Sequence, residues 1–173
     1  EAIAWREWLL RAVAGRPEQA QITYGIGGER RLPEWTVQWL PGFRGSAPVR
    51  IGNVAATQLQ LDVFGEVMDA LHQARRGGLV QNDVGWAVQL AFADHLEKVW
   101  TEPDESIWEV RSERRHFTYS KVMAWVAFDR TIKSAEQYGF DGPIERWREL
   151  RQIIHDEVCS RAFDTEINSF VQS

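Results

Sequence analysis

Between Trp100 and Arg130 the chain reads WTEPDESIWEVRSERRHFTYSKVMAWVAFDR, with Glu102, Asp104, Glu105 and Glu109 close together beside two tryptophans. Glu109 is the most constrained of these carboxylates, because Ile107 and Trp108 precede it and Val110 follows. A carboxyl group surrounded by apolar surface is poorly hydrated when ionised, so its pKa rises. A carboxylic acid that keeps its proton near neutral pH is equipped to act as a general acid. Asp104 and Glu105 would push in the same direction by like-charge repulsion. The plainer alternative is an ion pair between Glu109 and Arg111, Arg114 or Arg115, since structural ion pairs also perturb carboxylates.

The elements that must position this stretch read as helices. Glu1 to Ala14 carries an apolar stripe of Ile3, Trp5, Leu9, Leu10 and Val13, ended by Gly15. Residues 16–54 contain no helical pattern and many Gly and Pro, with Tyr24, Trp35, Trp39 and Phe43 among them. Those aromatics and the scattered Arg argue for a packed loop rather than a linker. A second helix is expected over 55–76, stopped by Gly77 and Gly78, and a third over 84–100 with Val88, Phe92, Leu96, Val99 and Trp100 on its apolar face. A fourth spans 118–138, with Thr118 as N-cap, and a fifth follows Pro143 and carries Trp147, Leu150, Ile154 and Val158. The fourth is apolar nearly all round from Val122 to Phe128, which predicts burial on every side. No strand pattern stands out. Alternating inner and outer helices would suit a barrel of two concentric layers, and an ordinary bundle is the other option.

The 173 residues are 44% hydrophobic and 26% charged, the composition of one globular domain. A net charge of −5 lacks the basic character of a nucleic-acid binder, and no apolar run is long enough to suggest a membrane span. The lone Cys159 excludes an internal disulfide and fits a reducing, cytoplasmic compartment. Nine tryptophans suit thick helical cores and sugar-stacking clefts alike. No pair among His72, His95, His116 and His155 has metal-ligand spacing, although His116 follows Glu109 closely enough to line the same cleft. The glycines from Gly25 to Gly28 are not a dinucleotide fingerprint, since no strand precedes them and no helix follows.

Three long motifs then carry a resemblance. The strings GIGGERRLPEWTVQWLPGFRGSAPVRIGN, AATQLQLDVFGEV and EPDESIWEVRSERRHFTYSKVMAWVAFDR, in that order, closely resemble glycoside hydrolase family 15, the glucoamylases and bacterial trehalases. The likeness extends over essentially the whole chain. It implies an all-α fold, an (α/α)6 barrel of which residues 1–173 would be an internal, incomplete portion. It implies hydrolysis of α-glucosidic bonds in an α-glucan, maltose or trehalose, with inversion and without metal or organic cofactor. Glu109 then falls on the family's general acid and Trp108 on the wall of the sugar site. Arg50, Gly52, Asn53 and Gln58 match the entrance to an inner helix, where side chains reach glucose hydroxyls, and Glu105 and His116 join them as candidate binding residues. The family usually has glycine where this chain has Ser106, a substitution that bears on the turn presenting Glu109. The resemblance places the catalytic base downstream of Ser173 and an Arg-Asp pair for the terminal glucose upstream of Glu1. Part of a closed barrel would leave apolar surface uncovered, so self-association is a further expectation. The rival implied function is a catalytically silent glucoamylase-like domain serving sugar sensing or protein interaction.

Overall fold

The computed structural model describes residues 1–79, 83–108 and 113–173. Among the described residues five helices dominate: α1 (Ala2–Ala12), α2 (Asp62–Arg76), α3 (Asp83–Val99), α4 (Thr118–Tyr138) and α5 (Ile144–Arg161). Two small antiparallel hairpins accompany them. The first pairs β1 (Trp35–Val37) with β2 (Val49–Ile51), in register Thr36 opposite Arg50. The second pairs β3 (Phe163–Asp164) with β4 (Ser169–Phe170), where the two phenylalanine rings meet edge to face at 5.2 Å. The fold is therefore mainly α with little sheet. Among the described residues no helix is long and apolar enough to cross a membrane.

Helix α4 is the spine, packed between α2 and α5, with α3 leaning on both α2 and α4. The core gathers where their apolar faces meet: Leu61, Phe64, Met68, Phe92, Leu96, Ala124, Phe128, Ile132, Trp147 and Ile154 are all buried. Met68 and Thr131 interlock, the Thr131 hydroxyl lying 3.0 Å from the Met68 sulfur while 2.8 Å from the Ala127 carbonyl oxygen. A buried polar layer lies further along. There Ser134 joins His72 Nδ1 and Arg75 Nη1, each at 3.1 Å, and Arg75 also bonds Gln89. The Arg75 guanidinium stacks near Trp86 and Phe140, which themselves stack at 4.4 Å. Burial holds the His72 pKa below the ordinary histidine value, and nearby Arg130 adds to this.

Several expectations need correction. Burial of α4 on every side does not hold within this chain, since Val122 is exposed and Trp125 and Val126 are half-buried. That edge borders an apolar hollow on α5 instead of a neighbouring helix. Helix α2 begins at Asp62, because residues 54–57 wind as a separate 3₁₀ turn before it. Thr118 is the first helical residue of α4, not its cap, and its hydroxyl donates to the Val171 carbonyl at 2.6 Å. Ile3 and Trp5 of the expected α1 stripe are exposed, while Leu10 and Val13 are buried. The strands escaped notice because two- and three-residue pairs are too short to display period-two alternation.

The connection from 16 to 54 is indeed tied down. Arg30 reaches the free carbonyls at the end of α1, bonding Ala12 O at 2.9 Å, and Gln21 Nε2 donates to Arg30 O and Ala56 O at 3.0 Å each. Its tip does not follow: Trp39 and Phe43, expected to pack, stand out in solvent.

Candidate functional site

The N-terminal ends of α2 and α4 lie side by side, and the segment joining α3 to α4 is anchored on both. Asp104 is the anchor. Its side chain is buried, 1% exposed, and Oδ2 accepts the Leu61 backbone N–H at 2.9 Å, just where α2 starts. Its main chain pairs with Arg115 in both directions, at 2.9 and 3.0 Å, closing the loop between them. The Glu105 N–H then bonds Leu59 O at 2.9 Å. From α4 the buried Lys121 ammonium donates to the carbonyls of Trp100 and Glu102, the latter at 3.0 Å, and lies over the Trp100 ring.

This base is crowded with titratable groups. Burial raises the Asp104 pKa, against the Ser120 hydroxyl, the Leu61 and Ser106 N–H groups and the Lys121 charge. Burial lowers Lys121. Asp62 is pushed up to about 6, first by burial, with its own backbone N–H opposing and the charges of Asp104 and Glu66 adding. The Tyr119 hydroxyl donates to Glu66 Oε1 at 2.7 Å and is pushed up to about 12, by burial first and then by that carboxylate.

Asp62 gives a stability prediction. Its folded pKa of about 6 exceeds the 3.8 of an unperturbed aspartate. The stability it contributes is fully present below about pH 3.8 and is lost as pH rises through 6. At neutral pH the ionised, buried carboxylate costs of order 2–3 kcal/mol. Asp62→Asn is therefore expected to raise the thermal midpoint of the full-length protein at pH 7.5, and to lose that advantage by pH 4. An equal shift at both pH values would contradict the assignment.

The predicted site residues fall into separate places. Trp108 is 75% exposed and lines an apolar hollow of about 540 Å³ with Ser106, Phe117, Tyr119, Val122, Val158 and Phe170. Ser106 itself is buried with φ of 62°, a left-handed conformation that glycine adopts freely and serine resists. The turn therefore has the geometry for which a glycine would be suited, and serine fills it under strain. Gln58 lines a second, more polar hollow of about 280 Å³ with Glu18, Thr57, Gln60, His95 and Arg114, and it accepts a 3.0 Å bond from Gln60 Nε2. Glu105 borders that side through its ion pair with Arg114 at 3.0 Å. Arg50 stands on β2, half exposed, 3.8 Å from Glu34. Asn53 Oδ1 accepts the Ala55 N–H at 2.9 Å and so caps the 3₁₀ turn before α2. His116 is exposed and lines a third hollow with Lys121, Glu157 and Arg161. Glu109 and Arg111 lie outside the described residues.

Thus Trp108 and Ser106 share one hollow, Gln58 and the Glu105–Arg114 pair border another, and Arg50, Asn53 and His116 join neither. The residues without an assigned role in the sequence reading are Asp62, Glu66 and Asp104 as the acceptor for the Leu61 N–H. An aspartate set inside LQLDVFG, where apolar residues surround it on both sides, was the available sign for Asp62. Nothing local in the sequence couples Asp104 to Leu61, 43 positions away.

A mainly helical chain with an exposed indole beside a carboxylate-rich helix junction defines a class on comparison with known proteins. Residues 1–173 match the family described as glycosyl hydrolases family 15, and the chain belongs to it. It is 40% identical over 157 residues to a trehalase of Thermoplasma volcanium, covering 91% of this chain and 25% of that protein. It is 43% identical over 160 residues to a trehalase of Thermoplasma acidophilum, covering 92% and 27%. With a trehalase of Mycolicibacterium smegmatis the identity is 40% over 150 residues, covering 87% and 22%. The chain spans about a quarter of the length of these curated relatives. No solved structure matches it.

Proposed function

We propose that this chain is part of an α-glucosidase that hydrolyses trehalose with inversion, and that Glu109 is its general acid. The observation that carries this reading is the likeness, at about 40% identity over nine-tenths of the chain, to proteins named trehalase. The chemistry fits the sequence position: Glu109 follows the Trp108 indole and would protonate the glycosidic oxygen as the bond to the leaving sugar breaks. A second carboxylate, contributed from outside these residues, would take a proton from water on the opposite face of the ring. Inverting enzymes hold two such groups about 6.5–9.5 Å apart to admit that water. Trp108 would form part of the glucose-binding wall, its exposed ring offering the flat apolar face that sugar C–H groups stack against. Glu105, Gln58, Arg50, Asn53 and His116 are proposed as binding residues at greater remove, with Gln58 favoured by the polar hollow it lines and Glu105 by its ion pair with Arg114 on that hollow's wall.

The helices are proposed to be successive members of an (α/α)6 barrel, with α2 and α4 in the inner layer. Their N-terminal ends sit together, and the exposed Val122 edge of α4 is the side on which the next inner helix would pack. The rest of the longer protein would cover the apolar hollow beside Trp108.

The test compares substrates. The full-length protein is expected to hydrolyse trehalose with a kcat/KM at least tenfold above that for maltose, and to release one β-glucose and one α-glucose from each trehalose before mutarotation. The isolated 173 residues are expected to have less than about 1% of that rate, since this reading takes the second carboxylate from outside them. Maltose or a longer glucan preferred over trehalose would move the reading to the glucoamylase side of the family. No hydrolysis of any α-glucoside would reject it.

A further inference from the structure

We propose that Asp104 is the positioning residue for the stretch that leads to the acid, tying its entrance at residues 104–108 to the start of α2. The inference rests on the reading of Glu109 as general acid, and it concerns a side chain that reading leaves without a role.

Three observations meet at this residue. Its carboxylate reaches across 43 positions to take the Leu61 N–H at 2.9 Å, so the segment is tied to the first turn of α2. Its own N–H and C=O pair with Arg115 at 2.9 and 3.0 Å, which brings the exit of the segment back to its entrance. The carboxylate also faces the Ser106 N–H, at the residue whose left-handed backbone turns the chain towards Trp108. The side chain therefore ties the stretch leading to Glu109 to α2 and faces its first turn, while the same residue's main chain pairs with Arg115.

A plain structural role explains less. A carboxylate that is 1% exposed is costly to bury, and a side chain needed for packing alone would be better apolar than a hydrogen-bond acceptor. The Ser120 hydroxyl faces Asp104 without the alignment of a full hydrogen bond, so the carboxylate is not simply satisfied by its own surroundings. The carboxylate accepts from Leu61 through Oδ2 and also faces the Ser106 N–H, while Oδ1 completes no full hydrogen bond among the described residues. A general acid misplaced by about 1 Å loses on the order of 100-fold in rate, which is the effect to look for.

The experiment uses the full-length enzyme and trehalose. Asp104→Ala is expected to lower kcat at least 100-fold with KM within threefold of wild type. Asp104→Asn, which keeps an oxygen for the Leu61 N–H, is expected to recover kcat to within tenfold. Asp129→Asn is the control for general loss of stability. It removes a buried carboxylate that pairs with Arg130, Lys133 and Arg151 further along α4, and it should leave kcat within threefold at a comparable fall in Tm. Amide hydrogen exchange at 105–108 and 113–115 should quicken at least tenfold in Asp104→Ala and not in Asp129→Asn.

If kcat and exchange in Asp104→Ala merely track those of Asp129→Asn, the proposal is overturned. Should Asp104→Ala fail to fold, Asp104→Glu takes its place. It keeps the charge and displaces the oxygens by one methylene, so kcat should fall at least tenfold with exchange raised, and no change in either overturns the proposal. A wild-type enzyme inactive on every α-glucoside would defeat the functional reading instead, while the exchange comparison still decides whether Asp104 holds the segment.

Discussion

Replacing Glu109 by Gln in the full-length protein should lower kcat on trehalose by about 10²–10⁴-fold and change KM by less than about threefold. Glutamine has nearly the shape of the acid and none of its transferable proton, so the loss measures proton donation rather than packing. A sugar alkoxide is a poor leaving group, and protonation as the bond breaks is what the carboxylic acid supplies. The loss should therefore shrink for a glucosyl substrate whose leaving group departs readily as an anion, such as a fluoride. The pH profile offers a separate check. The wild-type rate should fall at alkaline pH as the acid ionises, and that limb should disappear in Glu109→Gln. Equal losses on both substrates would place Glu109 among the residues that only bind or support. A loss under threefold on trehalose would remove it from the mechanism.

The helices were legible because each has a long apolar stripe and a marked end. Gly139 closes α4 in the left-handed conformation, with its N–H returning to Ala135 O, as a terminal glycine should. Pro143 precedes α5 and forces the new start. Errors arose where local pattern and tertiary surroundings disagree. The run from Val122 to Phe128 is apolar all round, yet its environment within these residues is one-sided, and no periodicity count can report what packs on the remaining side. The residues 55–61 read as helix, but Asn53 caps a 3₁₀ turn there and Leu61 begins α2 anew with its N–H given to Asp104. At the site, the Trp108–Glu109 motif and the unusual Ser106 were visible as residue types. The partnerships of Asp104 with Leu61, and of Tyr119 with Glu66 across 53 positions, exist only once the two helix ends are brought together. Candidate residues could be named from sequence by type, then, while partnerships between distant positions could not.

That juxtaposition depends on one small residue, and changing it should destabilise the fold markedly. Gly65 lies inside α2, facing α4. A Cβ placed on it would sit 2.3 Å from the Met123 carbonyl oxygen and 2.9 Å from the Met123 carbonyl carbon, closer than real Cβ atoms come. In an isolated helix Gly→Ala gains about 1 kcal/mol. Here the obstacle is backbone, which cannot rotate aside, so the helices must separate and the overpacking cost of about 1–3 kcal/mol or more reverses the sign. Gly65→Ala should thus destabilise the full-length protein by about 2 kcal/mol, read from urea unfolding. Gly77 supplies the comparison, since it has an ordinary φ of −74° and an added Cβ would meet its nearest atom at 3.4 Å. Gly77→Ala should be neutral or slightly stabilising, and equal behaviour of the two variants would refute the close approach. The same separation would lengthen the 2.7 Å bond between Tyr119 and Glu66 and pull Lys121 away from the carbonyls of Trp100 and Glu102. Activity in Gly65→Ala should therefore fall even at temperatures where the protein remains folded, because the two helix ends beside the proposed site would no longer meet in register.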